Sequence, residues 1–299
     1  MTQALGHLRV DRLSVEFAQR AGRWPWQRAG VATRVLDDVS IEVAPGEFVV
    51  VVGPSGCGKS SLLNAVAGFQ APASGSVTID GQRVISPGAD RGVVFQQYSL
   101  FPWMTARSNV EYGLKLKGVP SAQRRDRARS LLAMAGLSNI ETYFPEQLSG
   151  GMKQRVGILR ALATTPRILL MDEPFGALDA QTRTIMQQLL TTMWRSLNLS
   201  VLFITHDIDE AVFLADRIYV MTARPGRIKE IVPVPLARPR SEATMESMEF
   251  FSIRSRLLSL IREESQKAFD TEAQVLPPGR AAGEVGEASP PSILTTTLD

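Results

Sequence analysis

Apolar residues in this chain recur in three distinct spacings. Runs without a polar face, FVVVV at Phe48–Val52 and ILLM at Ile168–Met171, predict strands buried on both sides, as does Val201–Ile204. Helical spacing marks Lys59–Ala67 and Gln181–Leu197. Buried β runs alternating with helices predict an α/β fold with a parallel sheet covered on both faces. Near the N-terminus, LRVDRLSVEF at 8–17 and Val39–Val43 partly alternate and predict strands, with the turn Ala44-Pro45-Gly46 before Phe48. Short strands are expected at Ser76–Ile79 and Gly92–Phe95. Residues 105–165 read as mostly helical, punctuated by Pro120 and Pro145, so an inserted helical subdomain is expected over about 100–165.

Three segments break these patterns. Residues 18–34 hold Arg20, Arg23, Arg28 and Arg34 around Trp24-Pro25-Trp26, and are expected to form an exposed insertion. Arginine interleaved with tryptophan suits a membrane interface or a partner surface, and equally an exposed loop with no binding role. Residues 241–269 read as a helical appendage to a main domain of 1–240. From 270 to 299, Pro277-Pro278, Pro290-Pro291 and an acidic bias predict a disordered tail.

Composition narrows the setting. Thirty-three basic against 30 acidic residues, a net charge of +3, give no argument for nucleic acid. The single cysteine, Cys57, cannot form an internal disulfide, which fits a reducing compartment such as the cytoplasm. MTQALGHLRVDRL lacks the apolar core of a secretory signal, and no run approaches the roughly 18 apolar residues of a span. The chain is expected not to cross a membrane by itself.

The stretch Gly53-Pro54-Ser55-Gly56-Cys57-Gly58-Lys59-Ser60, followed by Ser61, fits G-x-x-x-x-G-K-[ST] between a buried strand and a helix. Glycines let backbone N–H groups turn around phosphate oxygens, and the helix N-terminus adds positive potential. Lys59 is expected on the β- and γ-phosphates and the Ser60 hydroxyl on Mg²⁺. Cys57 reads as a spacer supplying its N–H, the alternative being a reactive thiol. Asp172 and Glu173 end a buried strand, the edge where open α/β sheets bind ligands. Asp172 is the candidate Mg²⁺ ligand and Glu173 the candidate acceptor of a proton from attacking water. His206 and Asp207 follow a third strand; there a histidine either contacts the γ-phosphate or is structural.

Leu148-Ser149-Gly150-Gly151-Met152-Lys153-Gln154-Arg155 opens another predicted helix and makes a second anion cradle, about 90 residues from the first. Two cradles in one chain make sense if two copies pair head to tail, each closing the other's nucleotide. LSGGMKQR resembles the signature of the ATP-binding-cassette (ABC) ATPases. The phosphate loop, Gln96, the acid pair, Gly176-Ala177-Leu178-Asp179 and His206 match that family in order and spacing, over about 8–235. The resemblance implies a P-loop NTPase cassette: a RecA-like core, an N-terminal antiparallel β subdomain and a helical subdomain carrying the signature. It implies ATP and Mg²⁺ as ligands, Ser149, Gly150 and Gly151 on the ATP of the other subunit, and Asp179 at the dimer interface. It makes His206 the switch histidine and Gln96, rather than Gln97, the lid glutamine that reaches Mg²⁺ and the attacking water. Phe17 matches the aromatic that stacks on adenine, with Trp24 or Trp26 as competitors.

AVAGFQAPASGSVTIDGQRV, PGADRGVVFQ, LFPWMTARSNV, DEPFGALDA, ITHDIDEAVFLADR and RPGRI further resemble bacterial importer ATPases of the nitrate/sulfonate/taurine class. That resemblance implies an ATPase dimer at the cytoplasmic face of the inner membrane, held there by separate permease subunits. A periplasmic or lipid-anchored binding protein then selects the cargo. Tyr98–Met104 in such importers lines the groove that receives the permease; the competing reading packs Leu100, Phe101 and Trp103 into the helical subdomain. A soluble cassette ATPase acting on nucleic acid or the ribosome is the alternative function, and those usually carry coiled-coil insertions or a second cassette.

Overall fold

FVVVV forms β3 (Phe48–Val52), in which all five side chains are buried. The computed structural model describes residues 5–17 and 32–275. Phe48, Val50 and Val52 point into one core and Val49 and Val51 into another, on the opposite face. That division is the two-residue period of a strand covered on both sides. Each such side chain contributes about 1.5–3 kcal/mol by leaving water. The same alternation splits β7 (Ile168–Asp172) and β8 (Ser200–Ile204).

These strands join β6 (Arg91–Val94), β9 (Arg217–Met221) and β10 (Ile228–Pro233) in a six-stranded sheet of order β10-β9-β3-β8-β7-β6. It is parallel throughout except for the β10–β9 hairpin. A second, antiparallel sheet comprises β1 (Leu8–Phe17), β2 (Thr33–Val43), β4 (Ser74–Ile79) and β5 (Gln82–Arg83), in the order β2-β1-β4-β5. Helix α1 (Lys59–Ala67) fills the core shared by the two sheets with Leu62, Leu63 and Val66. Helices α2 (Ala106–Leu116), α3 (Ser121–Met134) and α4 (Gly150–Ala163) make the helical subdomain, and α5 (Ala180–Leu197) and α6 (Ile208–Leu214) flank the main sheet. After the short α7 (Glu242–Met245), α8 (Met248–Val275) packs Phe250 and Leu257 into the core.

The strand expected at Val39–Val43 runs over Thr33–Val43, those expected at Ser76–Ile79 and Gly92–Phe95 run over Ser74–Ile79 and Arg91–Val94, and two larger bounds move as well. The insertion expected over 18–34 ends earlier, because Thr33 and Arg34 already belong to β2. Thr33 pairs with Phe17 and Arg34 with Glu16 across the sheet, and Val35 and Leu36 are buried beside them. Residues 18–31, with Trp24 and Trp26, lie outside the described residues. The tail expected from 270 instead begins as helix, since Asp270–Val275 (DTEAQV) has no breaker before Pro277. Residues 276–299 lie outside the described residues.

Beneath the His206 strand end, Glu210 is buried and accepts a hydrogen bond from Gln187 Nε2 at 3.1 Å. Burial pushes its carboxyl from an ordinary 4.5 up to about 7. Between those values the native state holds a proton that the unfolded state has lost, so this group's contribution falls as pH rises from about 4.5 to 7. Glu210→Gln is therefore expected to match wild-type stability at pH 4 and to exceed it by about 3 kcal/mol at pH 8 in urea melts. Equal stability at both pH values contradicts a charged, poorly solvated Glu210.

Candidate active site

The strand order sets the site. Adjacent strands β3, β8, β7 and β6 end in register, with Val51 beside Ile204, Ile204 beside Asp172 and Val94 beside Met171. Their carboxyl ends deliver, side by side, the phosphate loop, His206, the Asp172-Glu173 pair and Gln96.

The phosphate loop turns on Gly56 and Gly58, whose φ angles are +75° and +106°. A Cβ at Gly58 would also fall 2.6 Å from Leu36 Cδ2, so only glycine serves there. The buried Lys59 ammonium donates to the carbonyls of Gly53 (2.9 Å) and Pro54 (3.0 Å). Among the described residues it has no carboxylate within ion-pair distance, and a buried ammonium so placed favours an anion in the loop. Cys57 is buried, with its thiol pushed up by burial, which disfavours the reactive thiolate.

Asp172 has its carboxyl pushed up by burial and by the neighbouring Glu173, while a hydrogen bond from the Ser60 hydroxyl and the charge of Lys59 oppose this. A cation between Ser60 and Asp172 would relieve that desolvated charge. One carboxylate, one hydroxyl and phosphate oxygens are the kind of donor set Mg²⁺ takes. Glu173 has a left-handed backbone, φ +44°, anchored by its N–H to the Ile204 carbonyl (2.9 Å). This conformation costs about 1–3 kcal/mol and turns the side chain out of the strand's alternation. Its Oε2 lies 3.0 Å from His206 Nδ1 and 3.5 Å from Gln96 Nε2, so three strands meet at one carboxylate oxygen.

The second cradle opens α4. Ser149 caps α4, its Oγ accepting from Met152 N at 3.4 Å, and a Cβ at Gly150 would meet the Tyr98 hydroxyl (2.9 Å) and one at Gly151 the Thr182 Cγ2 (2.6 Å). Asp179 caps α5 through Thr182 N at 2.9 Å, and that bond holds its carboxyl below the usual range. Phe17 is 47% exposed at the end of β1. Pro54, Ser55 and Ser61 lie in the loop and first turn beside Lys59.

Sequence reasoning missed two groups around the site. Arg183 links Asp207 (2.9 Å) to the Leu178 carbonyl (3.1 Å), tying α5 to the cap of α6. Gly226 lies behind the phosphate loop, where a Cβ would come within 2.1 Å of the Cys57 carbonyl oxygen. The Pro225-Gly226 turn signal was visible, but nothing in the sequence says which loop it meets.

A P-loop core with an inserted helical subdomain, a second cradle on that insert and an acid pair at the strand ends defines a cassette ATPase. The ABC transporter family model matches residues 36–176. An ABC transporter ATP-binding protein of Methanocaldococcus jannaschii is 51% identical over 258 residues, 86% of this chain and 96% of that relative. The nitrate import ATP-binding protein NrtD of Synechocystis is 46% identical over 275 residues, covering 89% and 98%. The taurine import ATP-binding protein TauB of Chromobacterium violaceum is 49% identical over 257 residues, covering 84% and 94%. A solved ATP-binding cassette, a dimer in a post-hydrolysis state with ADP and Pi, superposes with a TM-score of 0.65 at 33% identity, over 76% of this chain and 98% of that one. The chain belongs to the ABC transporter ATP-binding family.

Proposed function

We propose that this chain is the ATP-hydrolysing subunit of an importer for a small anion of the nitrate, sulfonate or taurine kind. The reading rests on its likeness, over nearly full length, to nitrate and taurine import subunits. Two copies bind two ATP molecules, each between the phosphate loop of one copy and Ser149–Gly151 of the other. Phe17 stacks on the adenine, Lys59 neutralises the β- and γ-phosphates, and Asp179 lies at the closing interface. Glu173, held by His206 and Gln96, accepts a proton from the attacking water, and hydrolysis lets the pair reopen. Mg²⁺, for which Ser60, Asp172 and Gln96 are the candidate ligands, supplies charge neutralisation on the phosphates.

The observation that favours a permease partner is the segment after Gln96. The buried Asn109 side chain accepts from Phe101 N (2.9 Å) and donates to the carbonyls of Phe101, Met104 and Thr105, which fixes the segment's shape. Leu100 packs against the core and the half-buried Phe101 ring against Tyr112 of α2 (centroids 4.6 Å apart), so the core-packing reading holds for both, whereas Trp103 is 69% exposed. Beside it, Phe95, Phe101, Tyr112, Leu116 and Arg160 line a groove of about 560 Å³. An exposed Trp103 on a fixed segment next to an open groove fits an apolar-faced helix from a membrane subunit. Attachment to that subunit is what would hold the chain at the inner face of the membrane; none of the helices among the described residues is long and apolar enough to cross one. Trp103→Ala is expected to cut co-purification with the permease, and coupled transport, at least tenfold while the free subunit keeps its ATPase rate. Wild-type assembly and transport would count against this contact.

A further inference from the structure

On α8, side chains buried at seven-residue intervals are Phe250, Leu257 and Glu264. A carboxylate, 3% exposed, occupies the third position of an apolar stripe. Burial opposes its charge, but Lys229 on β10 at 2.9 Å and Lys267 at 3.0 Å compensate it. Its Oε2 accepts from Ala223 N at 3.1 Å, at the start of the loop between β9 and β10.

That loop continues to the back of the nucleotide site. Thr222 closes it on itself, accepting from Arg227 N (2.9 Å) and donating to the Pro225 carbonyl (3.1 Å). Gly226 N donates to the Val35 carbonyl (2.8 Å), Asp37 N donates to the Gly226 carbonyl (3.0 Å), and Arg227 pairs with Asp37. Gly226 thereby lies flat against the carbonyl of Cys57 inside the phosphate loop, where the Cys57 N–H turns back to the Pro54 carbonyl (3.4 Å). The same β2 residues, Val35 and Leu36, press on Gly58.

We infer that Glu264 is a positioning residue for the phosphate loop: α8 fixes the 222–227 loop through Ala223, and that loop backs the cradle at Cys57. A cradle held in its binding geometry spends less of the binding energy on ordering itself. The inference rests on the phosphate loop being the nucleotide site.

The test measures binding of a fluorescent ATP analogue to full-length Glu264→Leu, Glu264→Gln and Lys59→Ala, with thermal melts of each. Glu264→Leu is expected to raise Kd about five- to twentyfold, and KM for ATP with it, with kcat at saturation within twofold of wild type. Glu264→Gln, which still accepts from Ala223 N, is expected to stay within about twofold in Kd. A Glu264→Leu variant that melts earlier yet binds with wild-type Kd overturns the proposal and leaves Glu264 purely structural. A Glu264→Gln variant as weak as Glu264→Leu overturns the Ala223 hydrogen bond as the link. Undiminished binding by Lys59→Ala instead removes the nucleotide-site reading on which the proposal stands.

Discussion

Glu173→Gln is expected to lower the steady-state ATPase rate by about 10²–10³-fold while ATP affinity stays within a few-fold of wild type. Glutamine keeps the shape of the side chain and one oxygen to accept from Gln96 and His206. It tolerates the left-handed backbone at 173 no worse than glutamate does. What it loses is the capacity to take a proton. A phosphate-release assay with parallel nucleotide binding checks this, and a rate within tenfold of wild type contradicts the assignment of Glu173 as base.

Lys59→Ala is expected to weaken ATP binding by more than 100-fold, about 3 kcal/mol. The native ammonium is held by the Gly53 and Pro54 carbonyls, which solvate its charge without neutralising it. The phosphates supply the missing negative charge in a buried setting, where the interaction is strong. The same reasoning gives the opposite sign for stability: removing a buried charge that no carboxylate pairs directly is expected to leave the nucleotide-free melting temperature unchanged or slightly higher. Calorimetric titration and a melt of one sample separate the two effects. Loss of both binding and stability would indicate that Lys59 holds the loop together instead.

Much of this site could be read from local pattern. The helix Lys59–Ala67 was legible to the residue because the glycine loop ends where apolar helical spacing begins. Buried runs without a polar face fixed β3 and β7, and the cassette signature identified the class. Other features depend on contacts that no local pattern carries. Strand β9 (RIYVM) and β10 (IKEIVP) are as apolar as several expected strands, but their place beside β3 is set by pairing across the sheet. Glu210 and Glu264 look like ordinary charged helix residues, and only packing makes one a carboxyl titrating near 7 and the other a strut. The left-handed backbone of Glu173 follows from its N–H reaching Ile204 on a strand 30 residues away. The early start of β2 was hidden because Thr33 and Arg34 are polar and follow an arginine-rich stretch, yet pair with Phe17 and Glu16.

If ATP draws two copies together and hydrolysis at Glu173 releases them, the Glu173→Gln protein stays paired for as long as ATP is bound. The mass of the Glu173→Gln protein in solution, by size exclusion with light scattering, tests it most directly. With ATP and Mg²⁺ the account predicts a particle of two chains, and with ADP or no nucleotide a particle of one. A single-chain mass with ATP bound, or the same two-chain mass in all three conditions, contradicts it.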